Sequence, residues 1–159
     1  MKKLLMGLMV LAAAASVKAT TQGYVMLSVF SPGQVPIAMT SLDGVRASLI
    51  YGECQALNGF DIGLIGRVRE RANGLQINAC SSVGTDAAGA QLGLMNFVEV
   101  DFSGFQLGLW NDVGNTMKGF QLGLVNSTGT LKGLQLGLVN FVDQAEDYHY
   151  CLPLVNWGW

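Results

Sequence analysis

The chain is poor in the residue types that most often carry chemistry. It has one histidine, three cysteines and three prolines in 159 residues, and only 13% of it is charged. With a net charge of -2, it lacks the basic face needed to neutralise phosphates, which excludes nucleic acid as a partner. Three cysteines (Cys54, Cys80, Cys151) are too few to staple a fold, and an odd count leaves at least one unpaired. The lone His149 has Cys151 two residues away and Glu146 and Asp147 beside it. A single His-x-Cys is weak ground for a metal or nucleophilic site, which needs a spatial constellation. Carboxylates are scattered through loops without an acid-base pair. Asp86, Asp112 and Asp143 recur too irregularly for calcium-binding turns, and threonine rows of the ice-binding kind are missing. No Gly-rich stretch has the strand-loop-helix context of a phosphate cradle. Neither catalysis, a metal nor a cofactor is expected; the chain reads as non-enzymatic.

Beyond the first residues, no apolar run has the length of a membrane-spanning helix. The opening MKKLLMGLMVLAAAASVKAT places Lys2 and Lys3 before the apolar run Leu4 to Val17 and a small-residue site at Val17-Lys18-Ala19. This pattern is a secretory signal peptide over 1–19, with mature protein from Thr20, and it predicts an exported chain. The localisation it implies is the bacterial surface, outer membrane or periplasm. No cysteine follows the cleavage site to take a lipid anchor.

What is abundant is glycine, 21 residues, and most of it is periodic. Glycines at 44, 59, 74, 89, 104, 119 and 133 begin seven copies of one motif, spaced fifteen residues apart five times and then fourteen. Such a period marks a repeat architecture. Counting the glycine as position zero, positions one, three and five are apolar, as in Phe105, Leu107 and Leu109. Position two is polar throughout (Arg46, Asp61, Gln76, Gln91, Gln106, Gln121, Gln135), and position four is small or polar, mostly glycine. This alternation predicts a half-buried strand with the apolar residues inward and the Gln column outward. Position seven is Asn in the last four copies (Asn96, Asn111, Asn126, Asn140), a turn ladder by its tolerance of left-handed backbone. Position nine is a regular Val in an otherwise polar, charge-bearing stretch: Val68, Val83, Val98, Val113 and Val142.

A strand with one apolar face buries it by stacking on copies of itself. The expected fold is therefore all-β, a parallel β-solenoid of about nine 15-residue rungs and on the order of 40 Å long at about 4.8 Å per rung. The organisation follows: a capping rung and loop over 20–43, tandem repeats over 44–147, and a C-terminal capping rung over 148–159, closed by Trp157 and Trp159. Val25, Leu27 and Val29 continue the apolar face into the first cap. The alternative is a small antiparallel outer-membrane β-barrel with the apolar columns facing lipid. The solenoid is preferred because up- and down-going barrel strands seldom share one motif in one polarity.

"MLSVFSPGQVP", "DGVRASLIYG", "NGFDIGLIG", the tandem GxQLGLxN units and "LPLVNW" occur in that order. Together they resemble a family of bacterial exported surface-repeat proteins, of the type first noted in Leptospira, over roughly Gly23 to Trp159. The resemblance implies an exported or surface location and no established activity. The chain departs from the pattern at "GLQINACSS", where Asn78, Ala79 and Cys80 replace Gly-Leu-aliphatic.

The resulting functional expectation is a structural or binding module at the cell envelope, with a pore or adhesin as the barrel alternative. Its partner is an envelope component, a glycan or a host or partner protein. The one extended polar face, Gln76, Gln91, Gln106, Gln121 and Gln135, is the candidate binding surface. The competing reading, which the sequence favours, has the Gln amides satisfying one another along the stack. On the predicted facing, Leu107→Asp should cost several kcal/mol by burying a charge, and Gln106→Ala should be mild.

Overall fold

A computed structural model describes residues 22–30, 33–35, 41–143 and 151–159. The signal segment and His149 lie outside them. Strands dominate: β1 (Gln22–Phe30), β2 (Gly33–Val35), β3 (Ser41–Cys54), β4 (Leu57–Val68), β5 (Ala72–Val83), β6 (Ala87–Leu92), β7 (Met95–Val98), β8 (Phe102–Leu107), β9 (Trp110–Leu122), β10 (Val125–Val142) and β11 (Cys151–Gly158). From β3 to β10 every pairing is parallel. Each pairing joins equivalent positions of successive copies: Gly59 on Gly74, Gln76 on Gln91, Asn111 on Asn126. This is a parallel β-solenoid of about seven turns, and the antiparallel barrel is not the fold.

The count is nearer seven than nine because the end strands do not complete turns. β1 pairs parallel with β3 and then doubles back on β2 in an antiparallel hairpin. β11 pairs antiparallel with β10, so the last edge is covered by a reversed strand. Pro153 sits on this edge strand, where a missing N–H breaks no ladder on the open side.

Each coil contributes two pairing segments. One runs from position minus two to three, as in Phe102–Leu107, and the other covers positions six to nine, as in Met95–Val98. Bends at positions four and five separate them at 93–94, 108–109 and 123–124, whereas β4, β5 and β10 run through that corner unbroken. The fourteen-residue spacing is absorbed within β10, where the register slips once between Thr128 and Thr130.

The facing of the strands is the reverse of the sequence expectation. Gln76, Gln91, Gln106, Gln121 and Gln135 point inward and are buried, as are Asn96, Asn111, Asn126 and Asn140. The leucines at positions three and five point outward: Leu107 is 39% and Leu109 52% exposed. Val25, Leu27 and Val29 are likewise exposed, whereas Met26 and Ser28 are buried. The apolar core is built from two columns instead. Position nine supplies Val68, Val83, Val98, Val113 and Val142, and Cys54 joins the same column after a register shift between Ser48 and Tyr51. Position minus two supplies Leu42, Leu57, Ala72, Ala87, Phe102, Met117 and Leu131. The interior is therefore half hydrocarbon and half amide.

Glycine is needed at position zero in every coil and at position four in the coils that carry asparagine at position seven. Gly59 has a φ of 141°, and a Cβ there would lie 2.1 Å from the carbonyl oxygen of Gly44 one coil below. At position four, a Cβ on Gly108 would lie 2.8 Å from Asn96 Nδ2 and 2.9 Å from Asn111 Oδ1. The glycine at position four makes room for the asparagine at position seven.

Candidate functional site

The predicted site residues come together as two internal ladders. Gln91 Nε2 donates to Gln76 Oε1 at 2.7 Å, Gln106 to Gln91 at 2.7 Å, Gln121 to Gln106 at 2.8 Å, and Gln135 to Gln121 at 2.7 Å. Every amide in this column donates toward the N-terminal end. The asparagines run the other way: Asn96 Nδ2 donates to Asn111 Oδ1, Asn111 to Asn126, and Asn126 to Asn140, each at 2.8 Å. The second proton of each goes to a backbone carbonyl, as from Asn96 to Leu107 O at 3.0 Å. Opposed directions let the two columns of amide dipoles offset each other. The asparagines do not act through left-handed backbone, since Leu154 is the one non-glycine with positive φ among the described residues.

An ion pair ends the Gln column at the first two coils. Arg46 Nε and Nη2 donate to Asp61 Oδ1 and Oδ2 at 2.7 and 2.6 Å, with both side chains fully buried. Asn78 Nδ2 adds a bond to Asp61 Oδ2 at 2.7 Å, and Gln76 Nε2 lies 3.4 Å from the same oxygen. The unusual Asn78 therefore serves the carboxylate. Burial pulls the Arg46 guanidinium down, but the hydrogen bonds and charge of Asp61 outweigh it, and its pKa is raised. Cys54 accepts from Arg46 Nη1 at 3.1 Å, and burial pushes its thiol up to about 11 despite that cation. At the other end, Asn156 Nδ2 donates to Gln135 Oε1 at 3.3 Å.

Asn78 Oδ1, Asn96 Oδ1 and Asn156 Oδ1 are buried without a partner among the described residues; the Gln amides bond one another and are closed to solvent, so the Gln column is not a surface that can meet a ligand. Cys54, Cys80 and Cys151 are free thiols, and of the three Cys151 is exposed. Among the described residues no cluster of three or more His, Cys, Asp or Glu is placed to hold a metal ion.

What reaches solvent is the other set of alternating residues. Position one carries Phe105 and Phe120, whose rings stack at 5.4 Å and 4°. Position three carries Ile62, Ile77, Leu107 and Leu122, and position five Leu49, Leu64, Leu94, Leu109, Leu124 and Leu138, all exposed. At the corner, Trp110 is half exposed and tilts against Phe97 at 6.2 Å. Four charged groups, Glu53, Arg67, Arg69 and Glu99, line a hollow with Gly84, where Arg69 Nε donates to Glu53 Oε1 at 2.7 Å. A contiguous apolar surface of this extent marks an interaction site in soluble proteins. Sequence reasoning placed these columns in the core. The signal that could have found them is the pairing of glycine at position four with asparagine at position seven, which only makes sense if the asparagine points inward.

The fold and the face together define a parallel β-solenoid with a partly polar interior and an apolar outer sheet. Comparisons with family models, curated proteins and solved structures gave no match.

Proposed function

We propose that the chain is an exported, non-enzymatic repeat protein of the bacterial envelope that acts as a structural or binding module through its outer apolar face. The observation that carries this reading is the uncovered face itself: columns at positions one, three and five run the length of the solenoid, with no charged residue among them. The signal-like opening segment and the resemblance to exported surface-repeat proteins support an envelope location. An apolar face suits a protein or another apolar envelope component. It serves a glycan poorly, because sugar hydroxyls need polar partners that the inward Gln and Asn columns do not offer.

The test is fractionation of bacteria producing the full chain. It should leave the cytoplasm, lose its first 19 residues and stay with the envelope fraction. Leu107→Lys/Leu122→Lys, which alters only outward side chains, should be exported equally but released in soluble form. Retention in the cytoplasm with the opening segment intact would defeat the reading, as would envelope retention indifferent to the substitutions.

A further inference from the structure

We infer that the apolar face is the interface with a second copy of this chain, the two solenoids lying face to face and antiparallel along a two-fold axis that runs with the strands. The inference rests on the reading of that face as the binding surface and names its occupant.

Three observations lead there. Apart from the reversed strand β11, the outer sheet is parallel, and parallel sheets are stable mainly with both faces covered; here the inner face is covered by the coil and the outer one is bare. Its extent fits a protein partner. Seven rungs at about 4.8 Å by about six residues at 3.3 Å give on the order of 700 Å² in projection, close to the roughly 800 Å² per partner of a standard interface. Its texture fits this protein in particular. The side chains stand in rows repeating at the rung spacing, and a second copy carries rows of the same spacing, so the two can interdigitate along their full length with sheets about 10 Å apart.

Charge selects the orientation. The column bordering the face, at position minus one, begins with Asp43 in the first coil and ends with Lys118 and Lys132 in the last two, with Asn58, Asn73, Ala88 and Ser103 between. A two-fold axis along the strands lays this column over itself with the ends exchanged, which sets Asp43 of one copy across from Lys132 of the other. An axis along the solenoid would instead lay Lys118 and Lys132 over the leucines of position five. A membrane is less well matched, because a lipid-facing surface of this kind gains from a basic rim, and this border is basic only at its Lys118 and Lys132 end, neutral through the middle and acidic at Asp43.

Sedimentation velocity of the full chain in detergent-free buffer at about 10 µM, a concentration at which a standard-size interface is populated, should show a two-chain species. Leu107→Lys/Leu122→Lys should weaken it by about a hundredfold or more, because ammonium groups would be buried without partners, with the circular dichroism spectrum unchanged. Lys132→Asp should weaken it modestly, and Asp43→Lys/Lys132→Asp should restore it. A monomeric wild type overturns the inference, as does a dimer that survives the double lysine variant, or a monomer that floats with phosphatidylcholine vesicles through this face. Failure here is separable from failure of the envelope reading: a wild-type monomer whose envelope retention still depends on Leu107 and Leu122 keeps the face and removes only its second copy.

Discussion

Gln106 has no contact with solvent, yet its side chain is bonded at both ends. Its Nε2 donates to Gln91 and its Oε1 accepts from Gln121. A buried amide normally costs stability unless it is bonded at both ends, and a stack of identical coils meets that condition without further residues. Removing one member is a different matter. Gln106→Ala strands an acceptor on Gln91 and a donor on Gln121 in a dry interior, at about 1–3 kcal/mol each, and leaves a hole besides. Urea unfolding at low protein concentration should show a loss of about 2–5 kcal/mol. Leu107→Asp, whose side chain points outward, should stay within about 1 kcal/mol of wild type. The opposite ranking would mean that the apolar columns are the core after all. The alternation itself was legible in the sequence, but a period of two says which residues share a face and not which face is inside. The usual tie-breaker, apolar inward, fails at Gln106 because its polar groups are satisfied by its own repeats.

The first two coils break the amide pattern with a buried ion pair, and there the element's stability depends on both partners at once. Asp61→Asn would leave the Arg46 guanidinium buried without its counter-charge, a change that typically costs about 3–5 kcal/mol. Arg46→Gln/Asp61→Gln removes both charges and extends the Gln column down to the first coil. Replacing a buried pair as a unit is often neutral or better, so the double variant should recover most of what the single one loses. Thermal unfolding of the two, side by side, checks this; equal destabilisation would show that the pair is required for more than charge balance. The strand pairing at this level was legible from Gly44, Gly59 and Gly74, whose spacing alone puts equivalent residues in register. The ion pair was not, because Arg46 and Asp61 stood in a column read as outward, where either charge is unremarkable. The position minus two column was also missed. Leu57, Phe102 and Met117 sit at the end of the charge-rich stretch, and only Val68 and its equivalents stood out there by their regularity.

At the scale of the whole molecule, the solenoid is close to one-dimensional: a coil touches the coil before and the coil after, and stability is roughly a sum over coils and their interfaces. Removing residues 104–118 deletes one complete coil. Gln121 then stacks on Gln91, Asn96 on Asn126, Gly119 on Gly89, and every ladder bond has a replacement partner of the same type. The shortened chain should fold to the same β-rich spectrum and melt cooperatively at a lower temperature. Removing 104–111 instead deletes about half a coil. It sets position eight of one copy where position zero belongs, brings Asp112 against the close approach that only glycine allows, and throws the Gln and Asn columns out of line. That chain should fail to fold or aggregate. Circular dichroism melts of the two deletions separate the possibilities, for if both fold, or neither does, the coil is not the unit of this structure. The same pair bears on the outer face. Taking out one of about seven coils narrows it by that fraction and removes Lys118 while keeping Lys132 and Asp43 at opposite ends. Self-association of the shorter chain should therefore be weaker than wild type yet still sensitive to Lys132→Asp.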